Sequence, residues 1–323
     1  MSDTIQDVLI IGAGPAGLSA ALTLAYQCHT ASVFDTKQYR TDSGQSSPQI
    51  NVLSGWDGRT PQEYRSTARQ EIAAYNTVTF HDTEIVSISR NAQGIFEGSD
   101  GSGKLHKGRK IILAHGVREE YPDIPGYGEC WAKGILHCLF CHGYDVRDSP
   151  SSGVLAVDWI AMPPFTLHMA HMAAQLSHTV IIYTHGNPDL GLQLTGLCSP
   201  DSPWKTDDRR ISALEMESLT PRRIRISFED GSSVVEPFLA HAPRSVLRGT
   251  FAEQLGIGLT SSGEYDISGS KVGETSVEGV YAAGDCATVF KVAPNAVASG
   301  SVAGSGVAIR IQEEKHGIKS IMG

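Results

Sequence analysis

The sequence predicts an α/β protein built on two strand–helix–strand units. In the first, "DVLIIGAGPAGLSAALTLAY" and "ASVFD" place a glycine turn and a helical pattern between two short apolar runs. In the second, "SSGVLAVDWIAMPPFTLHMAHMAAQLSHTVIIYT" repeats that order of apolar runs around a helical pattern. A chain of 323 residues is long enough for two domains of ordinary size.

Composition argues against several kinds of partner. The formal net charge is −9 and no run of Lys or Arg exceeds two residues, so binding to nucleic acid or to an anionic membrane is not expected. No apolar stretch reaches the roughly 18 residues of a membrane span. The first residues, "MSDTIQDVLIIGAG", lack the basic segment and the cleavage site of a signal peptide, so we expect a cytoplasmic protein.

The glycine turn of the first unit has G-x-G-x-x-G spacing at Gly12, Gly14 and Gly17. The predicted strand at residues 8–11 precedes it, a helix follows, and Asp35 ends the next strand. We expect Gly12 to make the tight turn, Gly14 to let a pyrophosphate approach, and Gly17 to let the helix pack closely on the strand. The helix N-terminus attracts phosphates, and Asp35 would accept hydrogen bonds from a ribose.

A second segment near the C-terminus has a related pattern. A short predicted strand at residues 279–283 is followed by Gly284 and Asp285, and then by a helix at about residues 294–311 that is rich in small side chains. Pro294 suits the first turn of that helix. A carboxylate just after a strand can reach a chain of sugar-like hydroxyls, and small residues allow another backbone or a ring system to approach.

The stretch "HCLFCHG" contains Cys138 and Cys141, the one spaced pair among six cysteines. A C-x-x-C-H sequence is compatible with covalent haem, half of a zinc site, a buried structural pair or a redox-active disulfide. Haem attachment requires export, and zinc requires two further ligands that no second C-x-x-C supplies. We therefore favour a redox-active disulfide, whose thiols have lowered pKa values and attack as thiolates, and we predict no metal.

Taken together, "GAGPAG", "LAHG" at residues 113–116, the cysteine pair and "YAAGDCA" at residues 281–287 resemble the thioredoxin-reductase-like flavoproteins in order and spacing. The resemblance covers nearly the whole chain. It implies two Rossmann-like domains: a discontinuous FAD-binding domain at residues 1–117 and 245–323, and an inserted NADPH-type domain at residues 118–244 that carries the cysteines. It also implies a homodimer.

The same resemblance implies the site residues. Cys141 would lie against the flavin and Cys138 would face the substrate sulfur. His115 replaces the usual threonine of the family, and Pro294-Asn295 replaces its usual Arg-Gln. The residues expected to bind FAD are Gly12, Gly14, Pro15, Ala16, Gly17, Asp35, Ala114, Gly284, Asp285, Asn295 and Ala296.

The inserted domain lacks the residues that NADPH requires, although its strand–helix–strand order is retained. Asp158 and Trp159 stand where a glycine fingerprint is expected, so they would place a charge and a bulky ring at the pyrophosphate. Pro163 and Pro164 remove N–H donors, and residues 185–197 contain no Arg or Lys for a 2′-phosphate. We therefore expect a degenerate nicotinamide site.

The H-C-x-x-C-H arrangement without an NADPH fingerprint resembles the dithiol oxidases of sulfur-bridged natural-product pathways, of the gliotoxin and holomycin type. This implies disulfide formation in a small dithiol, with electrons passing through Cys138 and Cys141 to FAD and then to dioxygen, which gives hydrogen peroxide. His142, helped by His137, is the expected base because a neutral imidazole accepts a thiol proton near pH 7. Two alternatives remain open: a disulfide reductase fed by NADPH or another electron donor, and a non-catalytic flavin-binding redox sensor.

Overall fold

The computed structural model describes residues 4–40, 49–198 and 202–320. The strands in these residues are β1 (Ile5–Ile11), β2 (Ala31–Phe34), β3 (Val78–His81), β4 (Ile85–Arg90), β5 (Phe96–Asp100), β6 (Leu105–Leu113), β7 (Val117–Glu120), β8 (Ile135–Leu136), β9 (Ser152–Leu155), β10 (Val180–Tyr183), β11 (Trp204–Asp207), β12 (Ile211–Leu219), β13 (Arg222–Phe228), β14 (Ser233–Glu236), β15 (Leu239–Ala240), β16 (Arg244–Leu247) and β17 (Val280–Ala282). The helices are α1 (Pro15–Tyr26), α2 (Pro61–Ala73), α3 (Tyr127–Cys130), α4 (Leu139–His142), α5 (Pro163–Ala174), α6 (Pro188–Gly196), α7 (Phe251–Leu255) and α8 (Ala293–His316). None of these helices is long and apolar enough to cross a membrane.

The chain divides into two units. The first contains the described residues up to Arg40, residues 49–118 and those from Val246 onward, and the second contains the described residues of Glu119–Ser245. The chain passes from one unit to the other in β7 and again in β16, and these two strands pair in a sheet of their own.

The first unit is built on a seven-stranded sheet in the order β3-β2-β1-β6-β5-β4, with β17 paired to the C-terminal half of β6. The strands β3, β2, β1, β6 and β17 are parallel, whereas β4 and β5 are antiparallel. Val8 and Ile10 of β1 pack into one apolar core while Leu9 and Ile11 pack into another. Both faces of β1 are thus covered, which explains why its sequence is continuously apolar rather than alternating.

Helices α1 and α8 pack against each other through small residues. A Cβ at Gly300 would lie 2.1 Å from the Ala16 carbonyl oxygen, and a Cβ at Gly304 would lie 2.9 Å from the Ala20 carbonyl oxygen. The two backbones therefore touch where glycine is present. The small residues that the sequence places in α8 are what allow this close packing.

The second unit has a five-stranded parallel sheet in the order β11-β10-β9-β15-β8 and an antiparallel sheet in the order β12-β13-β14. Residues of α5 and α6 share an apolar core with β9 and β10. The first strand of the predicted strand–helix–strand unit begins at Ser152 and ends at Leu155, two residues earlier than the pattern suggested. Its helix begins at Pro163 rather than Phe165, because proline fits the first turn of a helix.

Candidate functional site

The predicted cofactor residues of the first unit gather where its parallel strands end. The Gly12 N–H donates to the last carbonyl of β2 at 2.9 Å, and the Ala114 N–H donates to the last carbonyl of β1 at 2.8 Å. The Ala283 N–H donates to the last carbonyl of β6 at 3.0 Å. These bonds join four strand ends at one edge of the sheet, which is the edge where open α/β sheets bind ligands.

Three glycines shape the turn between β1 and α1. Gly12 has a φ of +109°, and a Cβ there would lie 2.3 Å from the Ala114 carbonyl oxygen. A Cβ at Gly17 would lie 1.9 Å from the Gly12 carbonyl oxygen. By contrast, no atom of the described residues lies within 4 Å of a Cβ placed on Gly14. The turn is thus closed on the protein side and open in front of Gly14, a shape that fits a pyrophosphate.

Helix α1 presents backbone donors to that open space. Gly14 is its N-cap and Pro15 its first residue, and the first amide bonded back along the helix is the Leu18 N–H, 3.0 Å from the Gly14 carbonyl oxygen. The N–H groups of Ala16 and Gly17 fall in the first turn, where a helix offers them no carbonyl. Together with the positive end of the helix dipole, they can hold a phosphate.

Asp35 is buried at the end of β2 and already accepts three hydrogen bonds. Oδ2 accepts from the Tyr39 hydroxyl and from Arg69, each at 2.8 Å, and Oδ1 accepts from the Lys37 N–H at 2.9 Å. A carboxylate oxygen has room for about two donors, so Oδ1 keeps one position for a ribose hydroxyl. Sequence reasoning did not find Tyr39 and Arg69, which hold this carboxylate in place.

Asp285 follows β17 in a single 3-10 turn that begins at Gly284. Gly284 has a φ of +76°, and a Cβ there would lie 2.8 Å from the Ala16 Cβ. The Arg40 guanidinium lies 3.4 Å from Asp285 Oδ2, and the Asp285 side chain keeps some exposure to solvent. Asp285 is thus held by a residue of another segment while remaining accessible to hydroxyl groups.

The N-terminus of α8 contains the last two predicted cofactor residues. The Asn295 side chain donates to the Phe290 carbonyl oxygen at 2.9 Å, so its amide is engaged in the loop before the helix. Ala296 is buried, and its N–H donates to the Val292 carbonyl oxygen. The side-chain oxygen of Asn295 and the N-terminal end of α8 therefore remain the groups with which this segment could contact a flavin.

His115 lies beside the same strand ends and is only partly exposed, with its Nδ1 shielded from solvent. Its Nε2 lies 3.1 Å from the Tyr265 hydroxyl, while its Nδ1 has no hydrogen-bond partner among the described residues. Burial, helped by the charge of Arg248, lowers the pKa of His115 to about 4. A neutral imidazole with an unpaired buried nitrogen at this edge is a further feature that fits a polar cofactor.

Cys138 and Cys141 of the second unit form a disulfide. Cys138 is the N-cap of α4, and the Cys141 N–H donates to the Cys138 Sγ at 3.1 Å. Both cysteines are partly exposed, and Phe140 between them is 74% exposed. An N–H aimed at Sγ stabilises negative charge there, so it favours Cys138 as a thiolate when the disulfide is open.

His142 lies in the same loop, with its Nδ1 3.8 Å from Asp145 Oδ2. Burial lowers the pKa of His142 below its usual value, and this effect outweighs the Asp145 carboxylate, which raises it. The Arg222 guanidinium also lowers the pKa of His142. The imidazole is therefore neutral near pH 7 and available to accept a proton.

His137 packs between two rings. The centroid of its ring lies 5.2 Å from that of Trp131 and 6.3 Å from that of His142. Because Trp131 is fully buried, its ring gives the His137 ring a fixed surface to pack against. Within the described part of the chain, no group of three or more His, Cys, Asp or Glu side chains is placed to hold a metal ion.

The N-terminus of α5 occupies the place of α1 in the second unit, but it differs in its donors. Met162 is the N-cap, and the first two helical residues, Pro163 and Pro164, have no N–H. The next two amides, of Phe165 and Thr166, both donate to the Met162 carbonyl oxygen. Among the described residues, the first turn of α5 thus leaves no amide for a phosphate.

The turn before α5 is also occupied. Asp158 has a φ of +52°, a left-handed conformation in which glycine is usual, and it begins a 3-10 turn that ends at Ala161. The Trp159 ring packs on Phe165 with centroids 5.1 Å apart. A carboxylate and an indole therefore stand where the first unit has an open glycine.

The family model and the relatives that match this chain are all disulfide oxidoreductases by their descriptions. A family model described as pyridine nucleotide-disulphide oxidoreductase matches residues 6–151. Thioredoxin reductase aclD of Aspergillus oryzae (strain ATCC 42149 / RIB 40) is 40% identical over 309 residues, which cover 95% of this chain and 96% of the relative. Thioredoxin reductase tcpT of Claviceps purpurea (strain 20.1) is 39% identical over 322 residues, which cover 99% and 98% respectively.

Solved structures show the same similarity in three dimensions. A putative thioredoxin reductase TrxB from Bacillus anthracis superposes with a TM-score of 0.85 at 25% identity, covering 96% of this chain and 99% of the other. The crystal structure of HlmI superposes with a TM-score of 0.85 at 27% identity, covering 97% of this chain and 94% of the other.

Proposed function

Because the chain belongs to the thioredoxin-reductase-like flavoproteins, whose cofactor is FAD, we propose that it is an FAD-dependent dithiol oxidase. Its substrate would be a small natural-product dithiol, in which the enzyme forms an intramolecular disulfide. The overall reaction converts one dithiol and one dioxygen into one cyclic disulfide and one hydrogen peroxide. We further propose that it acts as a homodimer.

The N-terminus of α5 carries this proposal. It has no amide left for a phosphate in the described structure, and Asp158 adds a negative charge beside it. A nucleotide phosphate there would lose the backbone donors and dipole that such sites use. Without NADPH as the electron donor, the substrate dithiol becomes the source of electrons, and the reaction runs towards disulfide formation.

The residues of the cysteine loop suggest the chemical steps. Neutral His142 takes the proton of one substrate thiol, and the resulting thiolate attacks Cys138 Sγ, which breaks the Cys138–Cys141 bond and releases the Cys141 thiolate. The second substrate thiol gives its proton to His137, and its thiolate attacks the substrate sulfur of the mixed disulfide. That attack closes the product disulfide and releases Cys138 as a thiolate, which the Cys141 N–H stabilises.

The carboxyl edge of the first unit would hold the cofactor. The amides of Ala16 and Gly17 would bind its pyrophosphate in front of Gly14, and Asp35 and Asp285 would accept hydrogen bonds from its hydroxyls. When bound, FAD supplies the two-electron acceptor that restores the Cys138–Cys141 disulfide, and dioxygen then takes the electrons as hydrogen peroxide.

Oxygen uptake by the purified flavin-loaded protein tests the proposal. With dithiothreitol in air, we expect oxygen consumption and hydrogen peroxide formation without NADPH. Under anaerobic conditions, NADPH alone should leave the flavin absorbance unchanged. Rapid bleaching of the flavin by NADPH would refute the proposal.

Cysteine variants sharpen that experiment. Cys138→Ser and Cys141→Ser should each reduce turnover to the background rate, because the relay needs both sulfurs. Cys198→Ser is the matched control, since Cys198 is a free cysteine of the same unit and its sulfur lies 2.9 Å from the Trp204 indole nitrogen. Full turnover in either loop variant would exclude the relay.

A disulfide reductase is the second candidate, favoured by the names of the relatives, which are described as thioredoxin reductases. Such an enzyme would draw electrons from NADPH or another donor and reduce a disulfide. The anaerobic NADPH experiment separates the two candidates, because only a reductase of this kind is bleached by NADPH. Bleaching by a different reductant, followed by reduction of an added disulfide, would point to an alternative electron donor.

A further inference from the structure

The carboxylate of Asp35 is more fully occupied than the other acid at the edge where the cofactor is proposed to bind. Its Oδ2 accepts hydrogen bonds from the Tyr39 hydroxyl and from Arg69 Nη2, each at 2.8 Å, and its Oδ1 accepts one from the Lys37 N–H at 2.9 Å. The side chain of Asp35 is 3% exposed, whereas that of Asp285 is 21% exposed. Since each carboxylate oxygen has room for about two donors, the described residues leave Asp35 one acceptor position, on Oδ1.

Arg69 is itself held by more than one group. Besides Asp35, its Nη2 donates to Asp82 Oδ1 at 3.1 Å, and its guanidinium carbon lies 4.6 Å from the centroid of the Phe80 ring. The Arg69 side chain is 23% exposed. A planar guanidinium with a carboxylate on either side and a ring beneath it has little freedom to move, so it can hold Asp35 Oδ2 in one direction.

Tyr39 is held from the same helix. Arg65 lies one turn before Arg69 on α2, and its guanidinium carbon lies 3.6 Å from the centroid of the Tyr39 ring. Burial and the Asp35 carboxylate raise the pKa of Tyr39, so its hydroxyl keeps the proton that it donates to Oδ2. Two arginines on one face of α2 thus act on the same carboxylate, one directly and one through Tyr39.

We propose that Arg69 and Tyr39 are positioning residues, which leave Asp35 able to accept one hydroxyl of the FAD adenosine ribose through Oδ1, and not two. An unrestrained carboxylate could accept the 2′-hydroxyl and the 3′-hydroxyl together, one on each oxygen. With Oδ2 filled by the two donors, the second hydroxyl has no acceptor on Asp35. This inference rests on the placement of FAD proposed above, and it does not depend on the oxidase chemistry.

The test compares FAD with two analogues that lack either the 2′-hydroxyl or the 3′-hydroxyl of the adenosine ribose. Each is loaded into the full-length protein, and its dissociation constant is measured from the flavin fluorescence that appears on dilution. One analogue should bind about tenfold more weakly than FAD, the loss typical of one hydrogen bond to a charged group, and the other should bind as FAD does. Equal weakening of both analogues, or of neither, would overturn the inference.

Arg69→Gln tests the positioning role. The ratio of the dissociation constants of the two analogues should fall from about ten towards one, because the released carboxylate no longer prefers one hydroxyl. A weaker affinity for both analogues with an unchanged ratio would give Arg69 a structural role alone and overturn the inference. Arg59→Gln is the matched control and should keep the wild-type ratio, because the Arg59 guanidinium carbon lies over the Trp56 ring, 5.1 Å from its centroid.

Tyr39→Phe removes only a hydroxyl group and provides a second variant if Arg69→Gln does not fold. It releases one of the two hydrogen bonds to Oδ2, so it should lower the same ratio. An unchanged ratio in Tyr39→Phe would contradict the role of Tyr39.

Gly14→Val separates this inference from the placement of FAD. Gly14 has a φ of −75°, and no atom of the described residues lies within 4 Å of a Cβ there, so the protein should tolerate valine. The valine side chain would fill the space proposed for the pyrophosphate, and FAD should no longer bind. Unchanged FAD binding in Gly14→Val would refute that placement, while the ratio of the two analogues would still decide the role of Arg69.

Discussion

His142 combines two opposing influences within one loop. Burial disfavours its charged form and lowers its pKa, whereas the Asp145 carboxylate, 3.8 Å away, favours that form. The charge of Arg222 also lowers the pKa of His142, and the centroid of the His137 ring lies 6.3 Å from that of His142. The balance leaves a neutral imidazole near pH 7, which a proton acceptor for thiols requires.

The pH profile of dithiol oxidation should reflect this balance. Because the base works in its neutral form and burial lowers its pKa, activity should persist below pH 6.5 and fall only as pH drops through the lowered pKa. Asp145→Asn removes the group that raises this pKa, so the acid limb of kcat/KM should move to lower pH. The measurement is kcat/KM against pH for both proteins.

Asp148→Asn is the control for that profile. Asp148 lies in the same segment but is exposed and has a φ of +58°, a conformation that asparagine adopts well. The acid limb of kcat/KM against pH in Asp148→Asn should match that of the wild type. An acid limb that stays in place in Asp145→Asn would show that His142 is not the titrating base.

Helices α1 and α5 have the same place in their strand–helix–strand units but differ in the N–H groups that their N-termini offer to a phosphate. Both α1 and α5 follow a parallel strand and begin with proline. In α1 the N–H groups that follow the proline face the open space in front of Gly14. In α5 the second residue is also a proline, and the two N–H groups after it donate to the Met162 carbonyl oxygen. A phosphate-binding end thus requires particular residues in the first turn and not the helix alone.

The contact between α1 and α8 should be sensitive to a single methyl group. In Gly300→Ala, the new Cβ would meet the Ala16 backbone at 2.1 Å, so the two helices must separate. We expect the free energy of unfolding of the first unit to fall by about 1–3 kcal/mol. Because Ala16 belongs to the proposed pyrophosphate site, FAD should also dissociate at a lower temperature, which flavin fluorescence would detect.

Gly196→Ala at the end of α6 is the matched comparison. No atom of the described residues lies within 4 Å of a Cβ at Gly196, so this change should be neutral or stabilise the protein by up to about 1 kcal/mol. Equal melting temperatures for the two variants would contradict the close packing of α1 on α8.

The whole molecule has separate apolar cores in its two units. The first unit provides the glycine turn on a mixed sheet, and the second provides the disulfide and has a parallel sheet of its own. Flavin fluorescence reports on the first unit, while three of the four tryptophans, Trp131, Trp159 and Trp204, lie in the second unit and Trp56 lies in the first. In a Trp56→Phe background, the two signals can therefore follow the two units separately in one sample.

A core change in the second unit should affect the two signals unequally. Ile182→Ala removes most of a fully buried side chain from β10, and such changes cost about 2–5 kcal/mol. The tryptophan transition should move to lower denaturant concentration, while flavin release should shift much less. Coincident shifts of both signals would indicate that the units unfold as one cooperative body.

Local sequence was sufficient for much of the fold and for part of the candidate site. The turn at Gly12, Gly14 and Gly17 and the C-x-x-C pair depend on residues adjacent in the chain, so their spacing predicts them. The prolines that remove donors from α5 were identifiable for the same reason. Strand and helix ends were less certain, and the first strand of the second unit lies two residues before its predicted place.

The tertiary structure decided the pairs that come from distant segments. Arg69 of α2 reaches Asp35, and Arg222 of β13 acts on His142, although no periodicity links the members of either pair. Sequence determines which groups are available, because their chemistry belongs to the residue types. Only packing decides which of them meet and which lose water, and those two conditions set the pKa of His142 and leave Arg222 Nη1 without an acceptor in the described structure.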